Sequence, residues 1–320
     1  MYKFEPILKP LIWGGERIVS FKQIESDLHG VGESWELSAV PGNLSVVADG
    51  PDKGLTIVEL IDKYRDQLMG RDNYARYGNT FPLLIKFIDA CQDLSVQVHP
   101  DDELAMKRHN SFGKTEMWYV VETTDDAHLS AGWKREVTKE EYIRSVEDGS
   151  VEQLINTVST KPGDVFFLPA GRVHALGAGC FIAEVQQTSN VTYRIYDYNR
   201  RDAQGNLREL HVEQAVDAID YTLEDEYRTL YTPKLNEPVS LVSCDHFNTS
   251  LYDLTEPMQC DYSELDSFVI YICVGGAAKL IDNNGETLNI RAGETVLVPA
   301  SVTGVQLIPE SGAKLMEVFV

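Results

Sequence analysis

Two stretches of the sequence, "KPGDVFFLPAGRVHAL" and "RAGETVLVPASVTGVQL", repeat one pattern in different parts of the chain. In each, a glycine and an acidic residue precede an apolar run that ends at a proline and a small residue. Gly163 and Pro169 of the first stretch correspond to Gly293 and Pro299 of the second. The pattern is typical of a tight turn that leads into a buried strand, which ends at a proline because proline cannot donate to a sheet ladder. A repeat of this kind predicts two related β halves.

Other segments also favour a mainly β fold. Short apolar runs separated by Gly, Asn or Asp are typical of a sandwich or a barrel and not of a doubly wound sheet. We therefore predict two β-sandwich or jelly-roll halves. The runs interpreted as strands are Ser34–Val40, Phe81–Ala90, Glu116–Glu122, Asp164–Ala170, Phe181–Gln187, Val191–Tyr198, Ser267–Val274 and Thr295–Ala300.

Helical patterns are fewer, and two of them adjoin. "TKEEYIRSVEDG" begins at Thr138 and has Glu141 at the position that completes a capping box. "SVEQLINTVS" repeats the device with Ser150 and Gln153. Together they predict a small helical insertion near residues 138–158. The segments "TIVELIDKYRDQLMG" and "ELHVEQAVDAI" are further predicted helices.

The charge of the chain argues against one class of partner. The chain has 28 Lys and Arg against 50 Asp and Glu, which gives a net charge of −22. Nucleic acid is not an expected partner, because phosphate backbones bind clustered basic side chains. No apolar run approaches the ~20 residues of a membrane span, and the N-terminal residues lack the pattern of a secretory signal. We expect a cytoplasmic protein with no membrane partner, and no sequence feature indicates an oligomeric state.

The cysteines do not suggest a disulfide framework or a cysteine-ligated zinc site. They are odd in number, scattered, and never spaced as CxxC. We expect them to be small buried apolar side chains. They are Cys91, Cys180, Cys244, Cys260 and Cys273.

A set of polar side chains lies where predicted strands begin or end. In "LSVQVHPDDELA", Gln97 and His99 fall on the same face of a strand, which Pro100 ends. Glu116 begins a strand of otherwise apolar residues, where a carboxylate is costly to bury unless it is paired or metal-bound. His174 follows the strand end in "LPAGRV". Two imidazoles, a carboxylate and an amide suit a divalent first-row metal, zinc above all.

Each of these residues alone also fits an ordinary sheet-face or strand-edge side chain, and it is their spacing that favours a metal site. A β-barrel brings such strand ends together at one mouth. In the second repeat, Gly304 stands at the place of His174. We therefore expect the metal site in the first half alone.

Several motifs then resemble a known family. Gly163, Pro169, Gly171 and His174 have the spacing of the second cupin motif, with Ala178 where that motif often has asparagine. The segments "SVQVHPDD", "GKTEMWYV", "LPAGRVHALGAG" and "TYRIYDYNR" closely resemble type I mannose-6-phosphate isomerases, in particular the short bacterial form. "LKPLIWGGERI" and "GESWELS" match that group too. The resemblance implies two cupin-type halves: a catalytic domain over residues 1–235, which includes the insertion, and a degenerate one over residues 236–320.

The resemblance also implies a chemistry. It predicts a zinc-dependent aldose–ketose isomerase that interconverts mannose 6-phosphate and fructose 6-phosphate through an enediol, with a small sugar phosphate as its partner. It implies one zinc ion per chain, with Gln97 either ligating or adjacent. The implied metal residues are His99, Glu116, His174 and Gln97, and the implied pocket residues are Lys114, Glu184, Arg194 and Arg200.

Some roles stay open at this point. Lys114 and Glu184 are both candidates for the general base, and Arg194 suits a phosphate or a developing oxyanion unless it only pairs with Asp197 on the surface. Two His and one Glu also resemble the facial triad of an iron-dependent oxygenase. A cupin that binds a sugar phosphate without turnover is a third hypothesis, because cupins host many functions.

Overall fold

A computed structural model of the chain describes residues 1–201 and 205–320. The described residues are mainly β, and every strand pairing within the sheets is antiparallel. All the runs interpreted as strands overlap a strand, so the mainly β prediction is confirmed. The strands are Ile7–Gly15 (β1), Val31–Leu37 (β2), Leu83–Asp89 (β3), Val96–Val98 (β4), Glu116–Thr123 (β5), His128–Trp133 (β6), Ile155–Ser159 (β7), Val165–Leu168 (β8), His174–Leu176 (β9), Cys180–Gln187 (β10), Tyr193–Tyr196 (β11), Pro238–Ser243 (β12), Asn248–Leu254 (β13), Met258–Asp261 (β14), Val269–Asp282 (β15), Thr287–Arg291 (β16), Thr295–Val298 (β17) and Gly304–Phe319 (β18).

The helices are short and lie outside the sheets. None in the described ranges is both long and apolar enough to cross a membrane. They are Arg17–Lys22 (α1), Ile57–Tyr64 (α2), Asp66–Met69 (α3), Arg71–Tyr77 (α4), Asp102–His109 (α5), Lys139–Glu147 (α6) and Val212–Ala218 (α7), with a 3-10 turn at Val151–Leu154.

The prediction of a second helix in the insertion is wrong. After the 3-10 turn, the chain forms strand β7, which pairs with β6. Ile155, Thr157 and Val158 are β-branched and suit a pleated surface, and β6 offers an edge for them to pair with. Tertiary pairing therefore overrides the helical pattern, and the helical part of the insertion is α6.

The helix predicted to end at Gly70 begins at a full capping box but is interrupted. Thr56 accepts a hydrogen bond from the backbone N–H of Glu59, whose side chain accepts from the Thr56 N–H. Arg65, with a φ of 50°, separates α2 from α3. Gly70 has a φ of 87° and no room for a Cβ, because the backbone carbonyl of Asp266 lies against it.

The strands form three sheets. The first has the order β1-β2-β3-β10-β5-β8, and the second has the order β11-β4-β9-β6-β7. The third contains β12-β13-β18-β15-β16, with β14 on β18 and β17 on β15. The first two sheets form one sandwich, and the third carries the C-terminal part of the chain. The repeated stretches supply β8 and β17, which pair antiparallel with β5 and β15, respectively.

The first sheet is covered on both faces, and this explains why β3 is buried along its whole length. On one face, Phe87 and Met117 pack in a cluster with Ile270 of the third sheet. On the other, Ile88 packs in a cluster with Leu129 of the second sheet. The second face is the interior of the first sandwich, and the polar side chains of the site project into it.

Candidate active site

Two of the expected ligands share a row across the second sheet. Arg194 on β11 lies opposite Gln97 on β4, and Gln97 lies opposite His174 on β9. Residues directly opposite in an antiparallel pair have their side chains on the same face. His99, two residues beyond Gln97, shares that face. The alternation of the strands therefore delivers an amide, two imidazoles and a guanidinium to one region.

The first sheet supplies the facing row. Glu116, at the start of β5, lies opposite Gln186 on β10. Two residues along the same strands, Trp118 lies opposite Glu184. Lys86 on β3 lies on the other side of Glu184. The carboxylates of Glu116 and Glu184 thus stand on one face of one sheet.

The three strongest ligand candidates form a compact, fully buried cluster. The ligand atoms of His99, Glu116 and His174 all lie within 4.8 Å of one another. Nε2 of His174 is 3.1 Å from Oε1 of Glu116, and Nε2 of His99 is 3.5 Å from Oε2. The amide Nε2 of Gln97 lies 3.3 Å from Nε2 of His174, so Gln97 is adjacent to the cluster.

Backbone carbonyls orient both imidazoles. Nδ1 of His99 lies 3.0 Å from the carbonyl oxygen of Val191, and Nδ1 of His174 lies 2.9 Å from that of Arg172. A carbonyl oxygen can only accept, so each Nδ1 carries the proton and each Nε2 of a neutral ring presents a lone pair. This is the arrangement of metal-ligating histidines, whose second nitrogen donates to a carbonyl or carboxylate.

The carboxylate of Glu116 lacks a satisfying hydrogen bond. Both of its oxygens are buried, and among the described residues neither has a hydrogen-bond partner of acceptable geometry. Lys114 lies beside Oε2 as a cation, and a buried carboxylate that is short of hydrogen bonds and flanked by two imidazoles fits a divalent metal ion. Among the described residues, this cluster is the one group of three or more His, Cys, Asp or Glu whose geometry suits a metal.

The protonation states also suit metal binding. Burial holds the pKa of His99 well below its usual value, and the nearby charge of Lys114 lowers it further. Burial alone would raise the pKa of Glu116, but the charges of Lys114, His99 and His174 outweigh it and hold the pKa well below its usual value. At neutral pH, His99 is therefore neutral and Glu116 is ionised, which are the forms that bind a metal.

Lys114 lies directly beside the cluster. Its Nζ is 2.9 Å from Oε2 of Glu116 and 3.1 Å from Nε2 of His99, and the side chain is buried. The loop that carries it follows α5, whose N-cap is Asp101. The backbone N–H of Gly113 donates to the side chain of Asp102, 2.8 Å away, which fixes this loop to the helix.

A cleft lies beside this cluster and is lined by residues that contact it. It has a volume of about 560 Å³, and its lining includes Gln97, Lys114, Glu184 and Arg194. A larger cleft of about 970 Å³ lies against the third sheet and contains none of the predicted site residues. The smaller cleft is therefore where chemistry can occur.

Comparison with known proteins agrees with this geometry. The sequence model of the catalytic domain of phosphomannose isomerase type I matches residues 1–141, and that of the mannose-6-phosphate isomerase cupin domain matches residues 238–317. Mannose-6-phosphate isomerase ManA of Bacillus subtilis (strain 168) is 36% identical over 300 residues, which are 92% of each chain. This chain belongs to the type I phosphomannose isomerase family. The prediction of a mannose-6-phosphate isomerase is thereby confirmed at the level of family and enzyme class.

Solved structures of the family have the same fold. The crystal structure of mannose 6-phosphate isomerase from Bacillus subtilis is 30% identical and superposes with a TM-score of 0.89, covering 100% of this chain and 99% of that one. A putative mannosephosphate isomerase from Archaeoglobus fulgidus is 26% identical, with a TM-score of 0.78 and 99% and 96% of the two chains covered. The two cupin-type halves predicted from the sequence are therefore those of phosphomannose isomerases.

Sequence reasoning missed one buried residue of this isomerase fold. Nζ of Lys86 lies 3.1 Å from Oε2 of Glu184 and 3.9 Å from Oε2 of Glu33. Burial acts to lower the pKa of Lys86, but the two carboxylates outweigh it and raise the pKa above its usual value. The indole N–H of Trp118 donates to Oε1 of Glu184 at 2.8 Å. A lysine within the apolar run "FPLLIKFIDA" was the available signal, because lysine is rarely buried without a partner.

The two arginines implied by the resemblance have different positions. Arg194 lines the cleft, is half-buried, and donates through Nη1 to the carbonyl oxygen of Glu209 at 2.9 Å. Arg200 is not among the described residues that line the cleft. Its guanidinium donates to the carboxylate of Asp197 and to the carbonyl oxygen of Asp93. Asp197 is therefore the partner of Arg200, and Arg194 is not held by it.

Proposed function

We propose that this isomerase is zinc-dependent and interconverts mannose 6-phosphate and fructose 6-phosphate through an enediol, in mannose metabolism in the cytoplasm. One observation carries the proposal: a buried His99–Glu116–His174 cluster adjoins Gln97 and Lys114, which line a cleft together with Arg194. The proposed substrate is the one in the names of the relatives, which are mannose 6-phosphate isomerases. Residues 1–235 would form the catalytic domain and residues 236–320 the degenerate one.

His99, Glu116 and His174 would hold the zinc ion, with Gln97 adjacent or ligating through its amide oxygen. The ion would supply a positive charge that polarises substrate oxygens, which stabilises an enediolate. Neutral imidazoles and a carboxylate are also ligands of other divalent metals, so zinc is the part of this proposal that metal analysis decides.

The reaction moves a proton between C2 and C1 of the open-chain sugar. Lys114 and Glu184 both line the cleft, and both remain candidates for the acid–base group. The carboxylate of Glu184 is oriented by Trp118 and Lys86, whereas Lys114 lies against Glu116. A well-placed general base contributes ~10²–10⁴-fold. The general base is the one of the two whose neutral variant loses the acidic limb of the pH–rate profile, because a base must be deprotonated to act.

Arg194 is the proposed anion-binding group. Its guanidinium is permanently charged and presents donors in a planar fork that matches a phosphate. Its Nε is buried and has no hydrogen-bond partner in the part of the chain that the structure describes. Since the chain is strongly acidic, a focused positive group is needed to hold a phosphorylated sugar against the overall field.

The test replaces His174 with alanine. The purified variant should retain its fold by circular dichroism, lose the equivalent of zinc that the wild type carries, and lose isomerase activity in a coupled assay with mannose 6-phosphate. His128→Ala is the matched control, because His128 is partly exposed, pairs with Asp93 and is not part of the cluster.

Other outcomes would select the alternatives. A His174→Ala variant with a full equivalent of metal and full activity would mean that the site is misassigned. Bound iron with substrate-dependent oxygen uptake would indicate an oxygenase. Zinc and tight sugar-phosphate binding without turnover in the wild type would indicate a sensor.

A further inference from the structure

Arg208 lines the same cleft as Arg194, although nothing in the sequence motifs pointed to it. It lies in the segment between β11 and α7. Its Nη1 is 3.3 Å from Oδ1 of Asp197, and its side chain is 24% exposed, so the guanidinium is held but accessible. The occupant of the cleft therefore meets two arginines from different segments.

The local charge around these arginines is not balanced. In the metal half of the cleft, Lys86 is paired with Glu184 and Lys114 with Glu116. At the arginine end, Arg200 and Arg208 share the carboxylate of Asp197, and among the described residues Glu209 is a second acidic residue near Arg194. Arg194 is bound through its Nη1 to a carbonyl oxygen and makes no ion pair among the described residues. This end of the cleft therefore has more positive than negative charge, in a chain whose net charge is −22.

Arg194 and Arg208 are close enough to repel each other. Burial lowers the pKa of Arg194, and the charge of Arg208 lowers it further. Two guanidinium groups that converge on one pocket are stabilised when an anion lies between them. The buried and unpartnered Nε of Arg194 is a donor that no described protein group satisfies.

We propose that Arg208 is the second guanidinium of the phosphate-binding end of the cleft, and that with Arg194 it selects a phosphorylated hexose over the free hexose. Arg200, which the sequence suggested for the second basic position, instead fixes Asp197 and thereby helps to position Arg208. This proposal rests on the proposed function for the identity of the sugar, but the binding of a phosphate dianion at this place does not depend on turnover.

The test compares Arg208→Ala and Arg208→Lys with the wild type. Loss of one charge-assisted contact of this kind corresponds to about a 10- to 100-fold change in affinity. For Arg208→Ala, we expect KM for mannose 6-phosphate to rise by about that factor, while kcat and zinc content change little. Lysine should recover only part of the loss, because it keeps the charge but not the planar fork. Any slow turnover of unphosphorylated mannose should be unchanged.

Arg201→Ala is the matched control. Arg201 is exposed, belongs to the same segment, donates to the carbonyl oxygen of Gly205 and does not line the cleft. It removes one positive charge from the same region, so its KM should stay near the wild-type value. An equal rise in both variants would mean that only the general field matters, and would overturn the proposal.

Calorimetric titration with inorganic phosphate separates this proposal from the proposed function. If the wild type binds phosphate and Arg208→Ala binds it at least 10-fold more weakly, the site stands even if the enzyme prefers another sugar phosphate. Unchanged phosphate affinity in Arg208→Ala, or equal loss of activity on mannose and on mannose 6-phosphate, would show that Arg208 only holds Asp197 in place.

Discussion

Replacing Lys86 with methionine should destabilise the protein strongly, because it leaves Glu184 without its cation. Lys86 and Glu184 are 7% and 3% exposed, and their charged atoms are 3.1 Å apart. Methionine has a similar volume and an unbranched chain, so the substitution removes the charge and leaves little cavity. What remains is a buried carboxylate with one indole donor, from Trp118, and with Glu33 nearby.

The expected magnitude follows from the geometry. Two unit charges 3.1 Å apart attract each other by about 5 kcal/mol at an effective dielectric constant of about 20. Breaking a buried pair by removal of one partner costs about 3–5 kcal/mol in measured cases. Replacing both partners with neutral groups costs much less. The double variant Lys86→Met/Glu184→Gln should therefore be more stable than the sum of the single effects implies, by at least about 2 kcal/mol.

Urea unfolding of the wild type, both single variants and the double variant measures this coupling. All four proteins are compared metal-free in excess chelator, so that zinc affinity does not enter. Lys234 and Glu237 form the control cycle, because their ion pair is 2.8 Å long but its side chains are 56% and 60% exposed. That cycle should give no coupling beyond error. If the Lys86 and Glu184 effects add within about 0.5 kcal/mol, the pair is not coupled and the reasoning is refuted.

Two further substitutions test the cleft and the C-terminal half. Arg194→Ala should keep its zinc content and fold but lower kcat/KM by orders of magnitude, since a charge-assisted contact with an anion or oxyanion contributes ~2–4 kcal/mol. Arg194→Lys should restore little of this activity. Near-normal steady-state kinetics for Arg194→Ala would make Arg194 a structural residue. Burial raises the pKa of Glu317 above its usual value of 4.5, so the folded state holds that proton more tightly than the unfolded state. The contribution of Glu317 to the free energy of unfolding is fully present below pH about 4.5 and is lost as the pH rises through the pKa of the folded state. Glu317→Gln should therefore gain stability relative to the wild type between pH 4.5 and pH 8 in urea unfolding, and a constant difference would contradict this.

Period-two alternation and strand ends made the residues of the His99–Glu116–His174 cluster predictable as neighbours from the sequence. Gln97 and His99 share a face by alternation, and Glu116 and His174 begin strands next to recognisable turns. The contacts between strands that are far apart in the sequence were not predictable in this way. Lys86 and Glu184 meet only because β3 and β10 are neighbours in the first sheet, which depends on the order of strands and not on any local pattern.

Local pattern failed where pairing or irregular backbone decided the structure. Residues 155–159 have a helical pattern but become an edge strand because β6 is available to pair. Strand alternation predicts that Thr192, Arg194 and Tyr196 share one face, and this holds only in part. Thr192 and Arg194 line the cleft as expected, whereas a register shift after Arg194 removes Tyr196 from that row. Arg208 reaches the cleft from an irregular segment, for which no periodicity exists.

The register of the two halves explains why the chemistry belongs to one of them. Pro169 and Pro299 are equivalent in the repeat. The residue before Pro169 lies opposite Glu116, and the residue before Pro299 lies opposite Val269, so Val269 is the counterpart of Glu116. With Gly304 in the place of His174, the second half lacks counterparts of two of the three ligands. The prediction that it binds no metal rests on this comparison.

The same register shows what the second half has kept. Glu184 lies opposite Trp118 and Lys86, and its counterpart Glu317 lies opposite Tyr271 and Ser250. With serine in the place of the lysine, Glu317 has no cation beside it and is stabilised by hydrogen bonds from the hydroxyl groups of Tyr252 and Tyr262. A buried carboxyl group without a cation favours its neutral form. With Ser250 at the position of Lys86, the second half has a neutral hydrogen-bonded core where the first half has an ion pair that lines a cleft. A charged sugar phosphate therefore has no group to bind in the second half.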